Sequence, residues 1–129
     1  MPSNIDFNDK TLQEIKFKNY KEQRSNVTIS SGYCNVNLSN ANIFNVTMNA
    51  NITNVNISNT PTESDTVVGF TMILQADGTA RSVTWPTSIR WPDATAPTIT
   101  STNNKVDIVS FISDNNGTNW YGFVSGKNL

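Results

Sequence analysis

The sequence contains no histidine, and this absence removes the side chain that most often serves as a general base and as a ligand for transition metals. Its single cysteine, Cys34, cannot form an intramolecular disulfide or a Cys-x-x-Cys metal site. The six glycines are scattered singly, so the chain has no glycine-rich phosphate-binding loop. We therefore expect no catalytic residues, no metal site and no cofactor. An enzyme would have to work with carboxylates alone.

Charge and hydropathy limit the classes of partner. Charged residues make up 15% of the chain and the formal net charge is -1, which is too weak to attract nucleic acid or an anionic membrane. No stretch approaches the roughly eighteen apolar residues of a membrane-spanning helix. Residues 1–10 lack the basic and apolar regions of a secretory signal. We therefore expect a protein made in a cytoplasm, with neither a nucleic-acid nor a membrane partner.

The first half of the chain has the period-two pattern of β-strands. From Phe44 to Ile52 the apolar residues have even numbers and alternate with asparagine and threonine, which predicts a strand with one buried face. The parity changes at Thr53-Asn54, since Val55 and Ile57 carry the apolar face beyond it. A bulge or a turn is expected at this point. The frequent asparagines are expected to serve turns, because asparagine tolerates left-handed backbone angles.

The second half predicts a central strand and two hairpins. The continuous apolar run Val67–Leu74 is typical of a strand covered on both faces. Asp77-Gly78 predicts a turn that leads into a partner strand over Thr79–Trp85. A second hairpin is predicted from Lys105–Ile112 and Asn119–Val124. The pattern favours an all-β fold with a single antiparallel, jelly-roll-like β-sandwich. The alternative is a short β-helix in the first half followed by β-hairpins.

Residues 1–25 are predicted to form an extended N-terminal arm, and residues 26–129 the β-sandwich module. Thr11-Leu12-Gln13-Glu14 matches a helix capping box, so the arm could contain at most one helical turn. The arm has more apolar residues than an exposed tail would carry. We expect it to dock on a partner through Ile5, Phe7, Ile15, Phe17 and Tyr20.

The three tryptophans are the main candidates for a binding surface. Trp85 and Trp120 end or begin predicted strands and are expected in the core, because burying an indole removes a large apolar area from water. Trp91 begins the irregular segment Pro92–Pro97 and is the one candidate surface contact. The aspartates beside turn-forming residues are predicted to have structural roles in turns; these are Asp65, Asp77, Asp93 and Asp114.

Several sequence motifs together resemble a known module. The marks are Val83-Thr84-Trp85-Pro86, Trp91-Pro92, Ala96-Pro97-Thr98, Val106-Asp107 and Trp120-Tyr121-Gly122-Phe123. With the preceding asparagine-rich strands, the chain resembles a small β-module that recurs in structural proteins of tailed bacteriophages, especially marine and cyanobacterial ones. The N-terminal segment looks like the arm that often precedes this module in short virion proteins.

The resemblance implies a non-enzymatic component of the virion. Because the chain has no long repetitive shaft, it suits a capsid decoration (cement) protein that binds the major capsid protein or other virion proteins and assembles as a homo-oligomer, such as a trimer. The alternative is a tail-fibre module whose exposed aromatics, Trp91 above all, contact host surface glycan. A third and weaker hypothesis is a glycan-cleaving enzyme that uses a pair of carboxylates.

Overall fold

In a computed structural model of the chain, the structure describes residue 7 and residues 10–129. It contains eight strands and one 3-10 turn, so the predicted all-β class is confirmed. The described residues form no helix long and apolar enough to cross a bilayer. The strands are β1 (Arg24–Val27), β2 (Tyr33–Asn37), β3 (Ile43–Met48), β4 (Asn54–Ser58), β5 (Val68–Ala76), β6 (Ile89–Arg90), β7 (Val106–Ser113) and β8 (Trp120–Gly126), and the 3-10 turn is Pro92–Ala94.

These strands form one large mixed sheet and one small sheet. The large sheet has the order β1-β3-β5-β7-β8-β6, and the small sheet pairs β2 with β4. The pairs β1–β3, β3–β5, β2–β4 and β6–β8 are parallel, whereas β5–β7 and β7–β8 are antiparallel. The expectation of antiparallel strand pairing is therefore wrong for the first half, and the antiparallel strand pairs lie at the centre of the large sheet.

The first half of the chain winds between the two sheets. β1 belongs to the large sheet and β2 to the small sheet. β3 then lies beside β1 in the large sheet, and β4 lies beside β2 in the small sheet. Ser25 thus lies opposite Phe44, and Cys34 opposite Val55. Period-two alternation identifies the buried face of a strand but is the same for both pairing directions, which is why the antiparallel expectation failed.

The parity change at Thr53-Asn54 marks a corner of this winding. β3 ends at Met48, and β4 begins at Asn54 in the other sheet. Between them Ile52 forms an isolated parallel bridge with Val83. The expected interruption is therefore present, and it moves the chain from one sheet to the other.

Side chains from both sheets form one hydrophobic core. Phe70 stacks on Phe111 at 4.7 Å between ring centroids and meets the edges of Phe44 and Trp120 at 6.0 and 5.0 Å. Each such aromatic pair stabilises the fold by about 0.5–1.5 kcal/mol beyond its area burial. Trp120 is only 1% exposed, which confirms its predicted place in the core. The strand residues fully withdrawn from water include Cys34, Val36, Val46, Met48, Met72 and Val109.

The frequent asparagines have two structural roles. Some occupy turns with left-handed backbone angles, as expected; Asn104 and Asn116 are examples. Others form amide pairs between successive turns of the winding, since each amide can both donate and accept. Asn26 and Asn45, and Asn35 and Asn56, are register partners, and their amides meet at 3.3 and 3.2 Å. Asn59 follows Ser58, the register partner of Asn37, and its amide donates to Asn37 Oδ1 at 2.6 Å.

One of the two predicted hairpins forms. β7 and β8 pair antiparallel across a turn in which Asn116 and Gly117 have positive φ. The other hairpin is wrong, because the antiparallel neighbour of β5 is β7, with Phe70 opposite Phe111. Asp77 does form a turn, since its carboxylate accepts a hydrogen bond from the Thr79 backbone N–H at 3.0 Å. The chain then runs to Val83, which forms the parallel bridge with Ile52, instead of returning along β5.

Candidate interaction surfaces

The N-terminal arm is exposed over the whole of its described length. Residues 10–23 form neither a helix nor a strand, and Glu14 and Asn19 introduce left-handed bends, so the capping box opens no helix. Phe17 and Tyr20 are 70% and 72% exposed. Their rings contact each other edge to face at 6.5 Å.

The other predicted anchors of the arm are also accessible where they are described. Phe7 and Ile15 are each more than two-fifths exposed, and so is Leu12, which lies between them. Ile5 lies outside the described residues. A chain that leaves several large apolar side chains in water next to a well-packed core presents a candidate contact surface.

Trp85 and Trp91 form a connected aromatic cluster at the border of the core. Their rings meet edge to face at 5.2 Å, and Phe111 lies 5.6 Å from Trp85 and 5.8 Å from Trp91. Trp85 is half-buried, and its indole N–H is buried with no acceptor among the described residues. The ring of Trp91 lies directly over Gly122, where a Cβ would come within 2.7 Å of it. Trp91 is thus part core and part surface.

A groove of about 540 Å³ lies beside Trp91. The segment after Trp91 forms one wall, and Phe123 and Val124 of β8 form the other. Asp93 and Ala94 both have left-handed backbone angles, with φ of 53° and 55°. A non-glycine residue in this conformation costs about 1–2 kcal/mol, so the surrounding contacts hold this turn in shape. Trp91 and the exposed Pro92–Thr98 segment therefore present a preformed edge.

A second groove crosses the outward face of the large sheet. Its volume is about 400 Å³, and its floor is made of the small side chains of Gly69, Thr71 and Ser110. Ile43 and Phe123 stand at opposite ends of the row Ile43–Thr71–Ser110–Phe123, which runs across four strands. The expectation that β5 is covered on both faces is wrong, because its outward residues, such as Thr71, are only partly buried. In the sequence, the continuous apolar run of β5 does not distinguish this outward face from a core face.

A buried carboxylate holds the C-terminal tail. Asp107 is 1% exposed and accepts hydrogen bonds from the backbone N–H and hydroxyl of Thr100, both at 2.7 Å. It also accepts from Lys127 Nζ and Asn128 N–H, both at 2.9 Å. Burial raises the pKa of Asp107, but these hydrogen bonds together outweigh it and hold the pKa below its ordinary value. The group has a structural role, because its oxygens are already occupied by the protein.

The described residues contain no group of three or more His, Cys, Asp or Glu side chains placed to hold a metal ion. Two of the aspartates predicted in turns, Asp65 and Asp93, have left-handed backbone angles. Asp77 forms a partly exposed ion pair with Arg81 at 2.7 Å. Cys34 is buried, and burial raises the pKa of its thiol to about 11.

Comparison with known proteins identifies no relative. No protein-family model matches the chain, and neither does any curated protein or solved structure. The functional argument therefore depends on the surfaces described above.

Proposed function

We propose that this chain is a non-enzymatic structural protein of a phage particle, and more specifically a capsid decoration protein. The observation that carries the proposal is the contrast between a tightly packed β-domain and an arm whose apolar side chains are in water. Phe17 and Tyr20 are the two most exposed large apolar residues of the described chain. A soluble monomer gains nothing from this arrangement, whereas a particle-bound protein can bury both rings in a partner.

The energetic scale suits attachment through an arm. Fully burying one large apolar side chain is worth about 1.5–3 kcal/mol. Several anchors per arm are needed, because association and ordering of the arm cost free energy. An oligomer held together through its arms contacts a repetitive capsid lattice at several points at once, and the effective concentration of the second contact then strengthens attachment.

The fold also supports a structural, non-enzymatic role. We class the module as a short β-helix in its first half that continues into the antiparallel β5–β7–β8 segment. The outer surface of the first half carries asparagine pairs. The resemblance of the tryptophan-proline motifs to modules of tailed-phage structural proteins points to the same class of protein.

A binding experiment with capsids tests the proposal. Purified protein is added to capsids of the phage that lack it, and bound protein is measured by sedimentation and located by cryo-electron microscopy. We expect saturable binding to the head, which the double change Phe17→Ser and Tyr20→Ser abolishes. The matched control is Tyr33→Ser, because Tyr33 is 50% exposed on β2 of the small sheet. A virion reconstruction that finds the protein only on tail fibres would overturn the proposal.

The Trp91 groove favours a second candidate, a tail-fibre module that contacts host glycan. An exposed turn beside an aromatic ring is an arrangement that can bind the apolar face of a sugar. A glycan array probed with the purified protein would then give binding that Val124→Arg removes, since Val124 lines this groove. Absence of binding to every glycan and to intact host cells would eliminate this candidate.

A further inference from the structure

The large sheet has an unpartnered apolar face whose residues align in rows. Ile112 lies opposite Tyr121 across β7 and β8, and Ser110 lies opposite Phe123 in the next outward row. Ile112, Tyr121 and Phe123 are all more than two-fifths exposed. The opposite, buried face of the same strands carries the core, so the fold does not require these outward residues to be apolar.

The groove on this face has the form of a receptor for a bulky apolar side chain. Its floor is lowered by Gly69, Thr71 and Ser110, while Ile43, Ile112 and Phe123 form higher walls. The floor carries hydroxyls but no charge. An aromatic ring with a polar edge, such as that of tyrosine, matches a site with apolar walls and hydroxyls at its base.

The arm leaves the domain at the rim of this groove without filling it. Glu22 lines the groove, and the backbone carbonyl of Gln23 accepts hydrogen bonds from Asn42 and Ile43. Two residues before Glu22, however, Tyr20 is 72% exposed, and Phe17 is 70% exposed. Phe17 lies five residues before Glu22, so its Cα can lie at most roughly 18 Å from that of Glu22 when the segment is extended. This reach brings both rings to the groove of a molecule that packs against the same sheet face.

Charged residues on the arm and at the groove favour one orientation of the arm in the groove. Lysines at 16, 18 and 21 flank Phe17 and Tyr20 on the arm, while Glu22 stands at the rim of the groove. An incoming arm therefore brings its lysines to the carboxylate of Glu22 as its aromatic rings enter the groove. Such pairing selects orientation more than it adds affinity.

We infer that the groove on the outward face of the large sheet binds the Phe17–Tyr20 segment of the arm of a second copy of this chain, so that neighbouring copies exchange arms. This inference deepens the proposed function, and it rests on the homo-oligomer that function requires. Each copy supplies one arm and one groove. The exposed rings of the arm and the apolar groove thereby cover each other.

Complementation between two defective variants tests the exchange on the full chain. One variant carries Phe17→Ser with Tyr20→Ser, and the other carries Ser110→Arg in the groove floor. Sedimentation of the unchanged chain should give a mass above the 14.2 kDa of one copy. Each variant alone should associate with an affinity reduced by about tenfold or more, as loss of an interface anchor does. An equimolar mixture should regain association as one-to-one pairs, because one partner still has an intact arm and the other an intact groove. Thr47→Arg is the control, since Thr47 is exposed on the same face outside this groove.

Disulfide trapping locates the contact independently. A chain with Lys18→Cys mixed with a chain with Asn42→Cys should form a mixed disulfide dimer under mild oxidation, whereas Lys18→Cys with Thr47→Cys should not. Asn42 lines the groove, and the native Cys34 is buried and does not interfere.

A chain that stays monomeric at high concentration, or two defective variants that fail to complement although both remain folded by circular dichroism, would overturn the inference. Capsid binding that persists in the Ser110→Arg variant would leave the decoration function standing without the exchange.

Discussion

Replacing Asp107 by asparagine should remove the attachment that holds the C-terminal tail to the sheet. The carboxylate accepts four hydrogen bonds: two from Thr100, one from the Lys127 ammonium group and one from the Asn128 backbone N–H. Lys127 also donates to the carbonyl of Thr98. One buried side chain thus joins β7, the segment before it and the end of the chain.

The size of the effect follows from the donors that the amide cannot satisfy. Asparagine has one acceptor oxygen, so its NH₂ group must face two of the existing donors in either orientation. The hydroxyl of Thr100 can rotate to accept, but at least one backbone N–H, of Thr100 or Asn128, loses its acceptor. An unsatisfied buried donor costs about 1–3 kcal/mol, and the lost charge pairing with Lys127 adds to it. We expect Asp107→Asn to lower the free energy of unfolding by about 2–4 kcal/mol and the midpoint of thermal unfolding by roughly 10 °C.

The same site makes stability depend on pH in a defined direction. The pKa of Asp107 is lowered in the folded protein, so the folded state favours the ionised form. Its contribution is complete above the pKa of the unfolded chain, about 3.9, and is lost as the pH falls through the lower folded value. The unchanged protein should lose stability below about pH 4, and Asp107→Asn should lack this part of the acid dependence.

Thermal and urea unfolding, followed by circular dichroism between pH 2.5 and 7, measure both effects. Asp77→Asn is the matched control, since the Asp77–Arg81 pair has similar geometry but is partly exposed and its loss should change stability much less. Equal unfolding midpoints for Asp107→Asn and the unchanged protein at pH 7 would refute the assignment of the tail's stability to this carboxylate.

Three further changes test other features. Gly122→Ala should shift the tryptophan emission spectrum and lower the unfolding midpoint, because the added Cβ would come within 2.7 Å of the Trp91 ring; an unchanged spectrum and midpoint would argue against this packing. Cys34 should resist thiol reagents at pH 8 until the protein unfolds, because it is buried and its pKa is raised to about 11; rapid labelling of the folded protein would contradict its burial. Asn37→Ala should lower the free energy of unfolding by about 0.5–1.5 kcal/mol, because it removes the acceptor of Asn59 Nδ2; urea unfolding measures it, and no loss would mean that water replaces the pair.

The buried faces of the strands could be predicted from the sequence, but their pairing could not. Phe44, Val46 and Met48 are buried where the alternation places them. Pairing direction depends on where the chain goes after each strand. In the sequence, the corner before Asn54 looks the same as a hairpin turn. Each is an interruption of the alternation of apolar and polar residues, with asparagine at the interruption. The Asp77-Gly78 signal failed for the same reason, since a tight turn can lead to another sheet as easily as back along the same strand.

The candidate surfaces were accessible to sequence reasoning to different degrees. The apolar residues of the arm were identified because they occur outside any strand pattern, and those described are exposed. The groove on the large sheet was missed. Its walls come from β3, β7 and β8, so only the register that places Ile43 in one row with Phe123 brings them together. A period-two strand that is apolar on both faces, such as β7, is the one local sign of such a surface.

The parallel winding and the exposed sheet face both leave surfaces that can associate with other chains. β1 and β2 form the first turn of the winding and leave open strand edges, because the described arm adds no strand beside them. Open edges and apolar sheet faces both promote association. In this chain the arm begins next to both, so contacts made by the arm of a neighbour can determine which of the two surfaces associates first. Reciprocal exchange of arms between two copies closes the assembly, whereas pairing of one open edge with a different edge of the next copy can continue without limit. The position of the arm beside the groove therefore favours the closed arrangement.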